Sequence, residues 1–136
     1  QVISLANKLS VSLGMPVIQR RPTKGLTNEL PPFYTADAGQ FLGLIEGASV
    51  VVSNSFHGTV FSIIYGKPFI SMLHSDTGSR VVDLLTELGL QSHILYDLAD
   101  FDDFSKYVPP DKGVETRLAK LRQESLDFLK KSLFEA

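Results

Sequence analysis

Residues 49–73 read SVVVSNSFHGTVFSIIYGKPFISML, and this stretch constrains the fold more than any other. Val50, Val51 and Val52 form a β-branched apolar run that suits a strand buried on both faces. The period then lengthens: Val60, Phe61, Ile64 and Tyr65 recur at helical spacing. Gly66 ends that helix, and Lys67-Pro68 forbids its continuation. Phe69, Ile70, Met72 and Leu73 read as a second strand. A strand–helix–strand unit of this kind makes its strands parallel, with a right-handed crossover.

The turn inside the unit, Ser53-Asn54-Ser55 followed by Phe56-His57-Gly58-Thr59, matters for chemistry. It lies at the carboxyl end of a parallel strand, where ligands of open α/β sheets bind. The start of the following helix offers unpaired N–H groups and a partial positive charge, which suit a phosphate or carboxylate. His57 stands on this turn, and imidazole exchanges a proton near neutrality. The competing reading is a packed histidine; its place on a strand–helix turn favours function. Ser53 and Ser55 are positioned either to cap the helix or to touch an anion.

Further features bound the class. A length of 136 residues fits one α/β domain, 1–136, with a real core. An apolar fraction of 43% describes an ordinary globular chain. A net charge of −2 presents no basic surface that demands nucleic acid. Without cysteine, disulfides, thiol catalysis and zinc–thiolate sites are excluded. No apolar run approaches the ~18 residues of a membrane span. G-x-G-x-x-G is missing too, so no dinucleotide cofactor is expected.

Around the central unit the chain alternates. Val2, Leu5, Ala6, Leu9 and Leu13 line one face of a helix closed by Gly14, and residues 16–20 read as a short strand. Residues 21–34 form a long polar loop made basic by Arg21 and Lys24, with Arg20 just before it. Asp37 and Gln40 spell a capping box before a helix with Phe41, Leu44, Ile45 and Ala48 on its buried face. After Leu73, a second polar loop holds His74, Asp76, Thr77, Ser79 and Arg80. Arg80 is suited to a two-point clamp on a carboxylate or phosphate. His74 with Asp76 makes a weak metal pair, so no metal is expected. A Ser55-His57-Asp76 triad lacks the G-x-S-x-G elbow.

Val81, Leu84, Leu85 and Leu88 then mark a helix ended by Gly89, and residues 93–96 read as a strand. Leu118, Leu121, Phe128, Leu129 and Leu133 mark a long final helix whose outer face carries Glu115, Arg117, Lys120, Arg122, Glu124 and Lys130 as solvated charge. The order is that of a Rossmann-like parallel sheet with helices on both faces. Doubly wound domains usually open on a strand, so a chain opening on a helix reads as a piece lacking its first strand; the alternative is a fold that simply starts on a helix.

Residues 33–95 resemble the polysaccharide pyruvyl transferase family. The resemblance rests on Ala48 to Ser62, including Ser53-Asn54-Ser55-Phe56-His57-Gly58-Thr59, then on Gly66-Lys67-Pro68-Phe69, Ser79-Arg80 and Leu84 to Leu90. It implies the C-terminal lobe of a two-lobed, GT-B-like enzyme whose N-terminal lobe lies outside this chain. It also implies transfer of pyruvate from phosphoenolpyruvate to a sugar of a surface polysaccharide, as a ketal. The enzyme would be cytoplasmic, including the inner face of the membrane as its workplace, and this piece would be inactive alone. In this resemblance His57 is catalytic, and Ser55 and the Phe56 backbone contact the donor. With the turn and loop readings, the candidate substrate-binding set is Ser53, Ser55, Phe56, Gly58, Thr59, His74 and Arg80. Other branches of the family carry arginine where this chain has Ser55, so Arg80 or a basic residue of 20–24 becomes a substitute. The rival readings are a donor-binding lobe of a nucleotide-sugar glycosyltransferase and a non-catalytic interaction lobe. The first would bind a diphosphate at the same helix end; the second would ignore both ligands and expose an apolar patch.

Overall fold

Alternation along one strand sorts the interior into two halves. The computed structural model describes residues 1–19, 37–73 and 78–134. Strand β2 (Phe69–Met72) is buried throughout, so both of its faces must be apolar or internally bonded. Phe69, with Leu73 just beyond the strand, enters one cluster, with Ile63, Val81, Leu85, Leu88, Leu90 and Val114. Ile70 and Met72 enter the other, with Leu5, Leu9, Leu95, Phe101 and Tyr107. Strands β1 (Val51–Ser53) and β3 (Ile94–Leu95) pair with β2 in parallel on either side, in the order β1-β2-β3. Val51 and Ile94 follow Phe69 to the first face; Val52 and Leu95 follow Ile70 to the second.

Helices α3 (Phe56–Ile64), α4 (Ser79–Glu87) and the start of α5 (Lys112–Phe134) cover the first face. Helix α1 (Val2–Leu13) covers the second, with the short 3₁₀ turns Leu98–Asp100 and Phe104–Lys106 beside it. Helix α2 (Ala38–Gly47) packs on α3, where Phe41 meets Phe61 edge-on at 6.2 Å. The result is a small α/β domain with a three-stranded parallel sheet flanked by helices. Each fully buried leucine of these clusters contributes roughly 1.5–3 kcal/mol.

The local signals act as read. The Asp37 carboxylate accepts from the Gln40 N–H at 2.8 Å, and the Gln40 side chain accepts from the Asp37 N–H at 3.1 Å. Gly66 takes φ 60°, which a side chain resists, and lets Lys67 N–H reach the Ser62 carbonyl at 2.8 Å. That bond closes α3 and turns the chain toward β2.

Several readings change. β1 is half-buried rather than enclosed, because β2 and not β1 is the middle strand among the described residues. Within residues 16–19 only Val17 forms a strand bridge, so no regular strand forms there. Residues 20–36 lie outside the described residues, and with them the basic loop. In α3 the sheet-facing residues are Thr59, Ser62 and Ile63, while Ile64 is exposed. Small hydroxyl residues let the helix approach the strands: Thr59 shares a 2.7 Å hydrogen bond with Ser71 of β2, and Ser62 donates to the Gly58 carbonyl. Periodicity counts apolar residues only, so it misses a face built from satisfied hydroxyls.

Helix α5 docks through Val114, Leu118 and Leu121, but Phe128, Leu129 and Leu133 are exposed, because the first cluster ends at Leu121. Arg117 is not simply solvated: its Nε donates to the Leu88 carbonyl at 2.8 Å. A cation there satisfies a carbonyl at the C-terminus of α4 and ties the two helices together. No helix among the described residues is long and apolar enough to cross a membrane.

His93, read as strand, ends the 3₁₀ turn Gln91–His93. Its ring is buried, stacked on Phe69 at 4.4 Å, with Nδ1 2.9 Å from the Phe69 carbonyl. A carbonyl can only accept, so Nδ1 carries the proton. Burial pushes its pKa below the ordinary value, and the carbonyl partner opposes this more weakly. Above the unfolded value of about 6.5, both states hold the ring neutral and the stability is fully present. As pH falls below that value the unfolded chain takes up the proton first, so stability falls. Urea unfolding between about pH 7 and pH 5 is expected to show this loss, at no more than about 1.4 kcal/mol per pH unit. In His93→Phe, which keeps the stack, the component due to this ring disappears.

Candidate functional site

The turn from β1 into α3 is fixed by two bonds and one absent side chain. Ser53 Oγ accepts from the Ser55 N–H at 3.0 Å and lies 3.3 Å from the Ser55 carbonyl, folding the turn back on itself. Ser55 is the N-cap, with extended backbone, and its carbonyl accepts the first helical bond from Thr59 N–H at 3.1 Å. Its hydroxyl does not cap the helix. A Cβ on Gly58 would stand 2.2 Å from Ser53 Oγ and 2.9 Å from Ser53 Cβ. Only glycine lets the first turn of α3 lie this close to the end of β1.

The predicted residues separate into supports and exposed groups. Thr59 is buried, sharing its hydroxyl between Ser71 and the Ser55 carbonyl at 3.2 Å. Gly58 is buried as well. Both therefore shape the turn from beneath. The Ser53 hydroxyl is bonded back to the Ser55 backbone. His57, Asn54 and Ser55 are exposed. Phe56 is half-buried: its ring packs on the first core cluster.

Phe56 also brings together residues that sequence spacing kept apart. The His57 ring meets it edge-on at 6.0 Å. From α4, the Arg80 guanidinium lies over its face, 5.2 Å from the centroid. A cation over an aromatic face is held by the ring quadrupole. His74, Asp76 and Thr77 lie outside the described residues, and with them the metal pair and the triad. Among the described residues no group of three or more His, Asp or Glu side chains is arranged to hold a metal ion.

An exposed imidazole on the first turn of a helix, at the carboxyl end of a parallel strand, can exchange protons with a bound molecule. The N–H groups of that turn lack intrahelical partners and suit an anion. Residues 10–76 match the family model described as Polysaccharide pyruvyl transferase. This match supports a polysaccharide pyruvyl transferase family member. The family is indicative of polysaccharide pyruvyl transferase activity in general, a transferase reaction with a donor substrate and a saccharide acceptor. The match contains the whole β1–α3–β2 unit and His57, and it stops before Arg80 and α4. It begins well before residue 33, where the sequence resemblance starts. Comparison with curated proteins and with solved structures returns no match.

Proposed function

We propose that this pyruvyl transferase family member moves pyruvate from phosphoenolpyruvate onto a pair of saccharide hydroxyls, as a ketal, with His57 as general acid and base. The exposed His57 ring at the mouth of the β1–α3 turn is the observation that carries this reading. In it, the donor phosphate sits at the start of α3, against the N–H groups of the first turn and the exposed Ser55. Ser53, Gly58 and Thr59 hold the turn in shape.

Ketal formation then needs one proton delivered to carbon. His57 gives a proton to the methylene carbon, which becomes methyl, and C2 becomes electron-poor. A sugar hydroxyl adds to C2 and passes its proton to the now neutral imidazole. The C2–O bond to phosphate breaks, phosphate leaves, and the second hydroxyl closes the ketal and loses its proton. No redox partner is needed.

The reading includes the larger architecture: a C-terminal, GT-B-like lobe whose acceptor lies in the cleft against another lobe, in a cytoplasmic enzyme. The exposed apolar residues at the end of α5 would also suit an interaction lobe. Product analysis with phosphoenolpyruvate and a saccharide acceptor separates the two, since an interaction lobe releases no phosphate.

A further inference from the structure

The geometry points to Arg80, held over the Phe56 ring, as the group that reads the donor's carboxylate. The inference deepens the pyruvyl-transfer reading and rests on it. Arg80 is on the first turn of α4, yet its guanidinium leans to the first turn of α3 and lies 5.2 Å from the Phe56 ring centroid. The same ring packs on the first core cluster and meets His57 edge-on at 6.0 Å. One aromatic ring therefore separates the exposed imidazole from the exposed guanidinium. Among the described residues Arg80 forms no ion pair with an acid.

An arginine near the start of a helix opposes the local dipole, so the helix does not explain its residue type. The contact with the Phe56 face holds the guanidinium beside the turn, and its N–H groups can serve an outside acceptor. A planar fork of N–H donors matches a carboxylate in two-point fashion. The donor carries its carboxylate on C2, next to the methylene carbon that must receive the His57 proton. Gripping that carboxylate beside Phe56 fixes the plane of the double bond relative to the imidazole. Phe56 is then a positioning residue: it acts through Arg80.

The test uses the full-length enzyme with two probes, phosphoenolpyruvate and inorganic phosphate, titrated against wild type, Arg80→Gln, Arg80→Lys and Phe56→Leu. Arg80→Gln is expected to weaken phosphoenolpyruvate about 10- to 100-fold, as for loss of a charge-assisted pair, and inorganic phosphate hardly at all. Arg80→Lys recovers part of the loss, because it keeps charge without the fork. Phe56→Leu raises KM for the donor about 2- to 5-fold with kcat unchanged, the size of an exposed cation–π contact. On the Arg80→Gln background it adds no further loss, which a merely structural ring would. Unchanged phosphoenolpyruvate binding in Arg80→Gln overturns the assignment, and so does an equal loss of both probes. If the wild type binds no phosphoenolpyruvate, the functional reading beneath it fails instead.

Discussion

Replacing His57 with glutamine in the full-length enzyme is expected to lower turnover by about 10²- to 10⁴-fold, the contribution of a placed general acid. The melting temperature should stay within a degree or so of wild type, because surface substitutions away from packed features change stability little. The structure supplies the reason for that separation. The His57 residue is exposed, and its ring meets that of Phe56 in a T-shaped arrangement at 6.0 Å. The hydrogen bonds that hold the turn belong to Ser53, Ser55 and Thr59, so none of them is lost with the imidazole. Paired measurement of kcat and thermal unfolding checks both halves. Turnover within a few-fold of wild type would remove His57 from the chemistry. A large fall in melting temperature would make it a structural residue.

The second large effect is expected at the neighbouring position. Gly58→Ala places a carbon 2.2 Å from Ser53 Oγ and 2.9 Å from Ser53 Cβ, well inside contact distance. Ser53 cannot easily yield. Its backbone is in register with Ser71 of β2, and its hydroxyl accepts the Ser55 N–H. Overpacking of this kind costs about 1–3 kcal/mol or more, and it acts at the strand end and helix start that present His57. Both melting temperature and activity should therefore fall. Gly43→Ala is the control: it lies inside α2, where a Cβ meets nothing within 4 Å, and alanine favours the helix. Adding Ser53→Gly to Gly58→Ala removes both clashing atoms and is expected to restore part of the stability. Differential scanning of the four proteins reads the series, and an undisturbed Gly58→Ala would mean that the turn is not packed as described.

Much of this arrangement was legible in the chain because local chemistry and tertiary packing agree there. The capping box at Asp37 and Gln40, the positive-φ Gly66 and the strand–helix–strand order each follow from residues close in sequence. What escaped depends on neighbours far along the chain. The sheet face of α3 is made by Thr59 and Ser62, whose hydroxyls are acceptable inside only because Ser71 and the Gly58 carbonyl bond them. His93 looks like any strand residue until Phe69, 24 positions earlier, supplies both a ring and a carbonyl. Arg117 reads as one more surface charge on α5 until it meets the Leu88 carbonyl. The site divides along the same line. The turn bearing His57 is a contiguous segment and could be read directly. The juxtaposition of Arg80 with Phe56 is made by the packing of α4 beside α3. Beforehand Arg80 was marked by the suitability of its guanidinium as a two-point clamp and by Ser79-Arg80 in the family resemblance.

Incubating the full-length protein with phosphoenolpyruvate and a saccharide acceptor, and weighing the products by mass spectrometry, tests the central claim most directly. The account predicts a saccharide heavier by one pyruvate ketal, one phosphate released for each ketal formed, and neither product with His57→Gln. A saccharide extended by a sugar from a nucleotide-sugar donor, with phosphoenolpyruvate left intact, would contradict it.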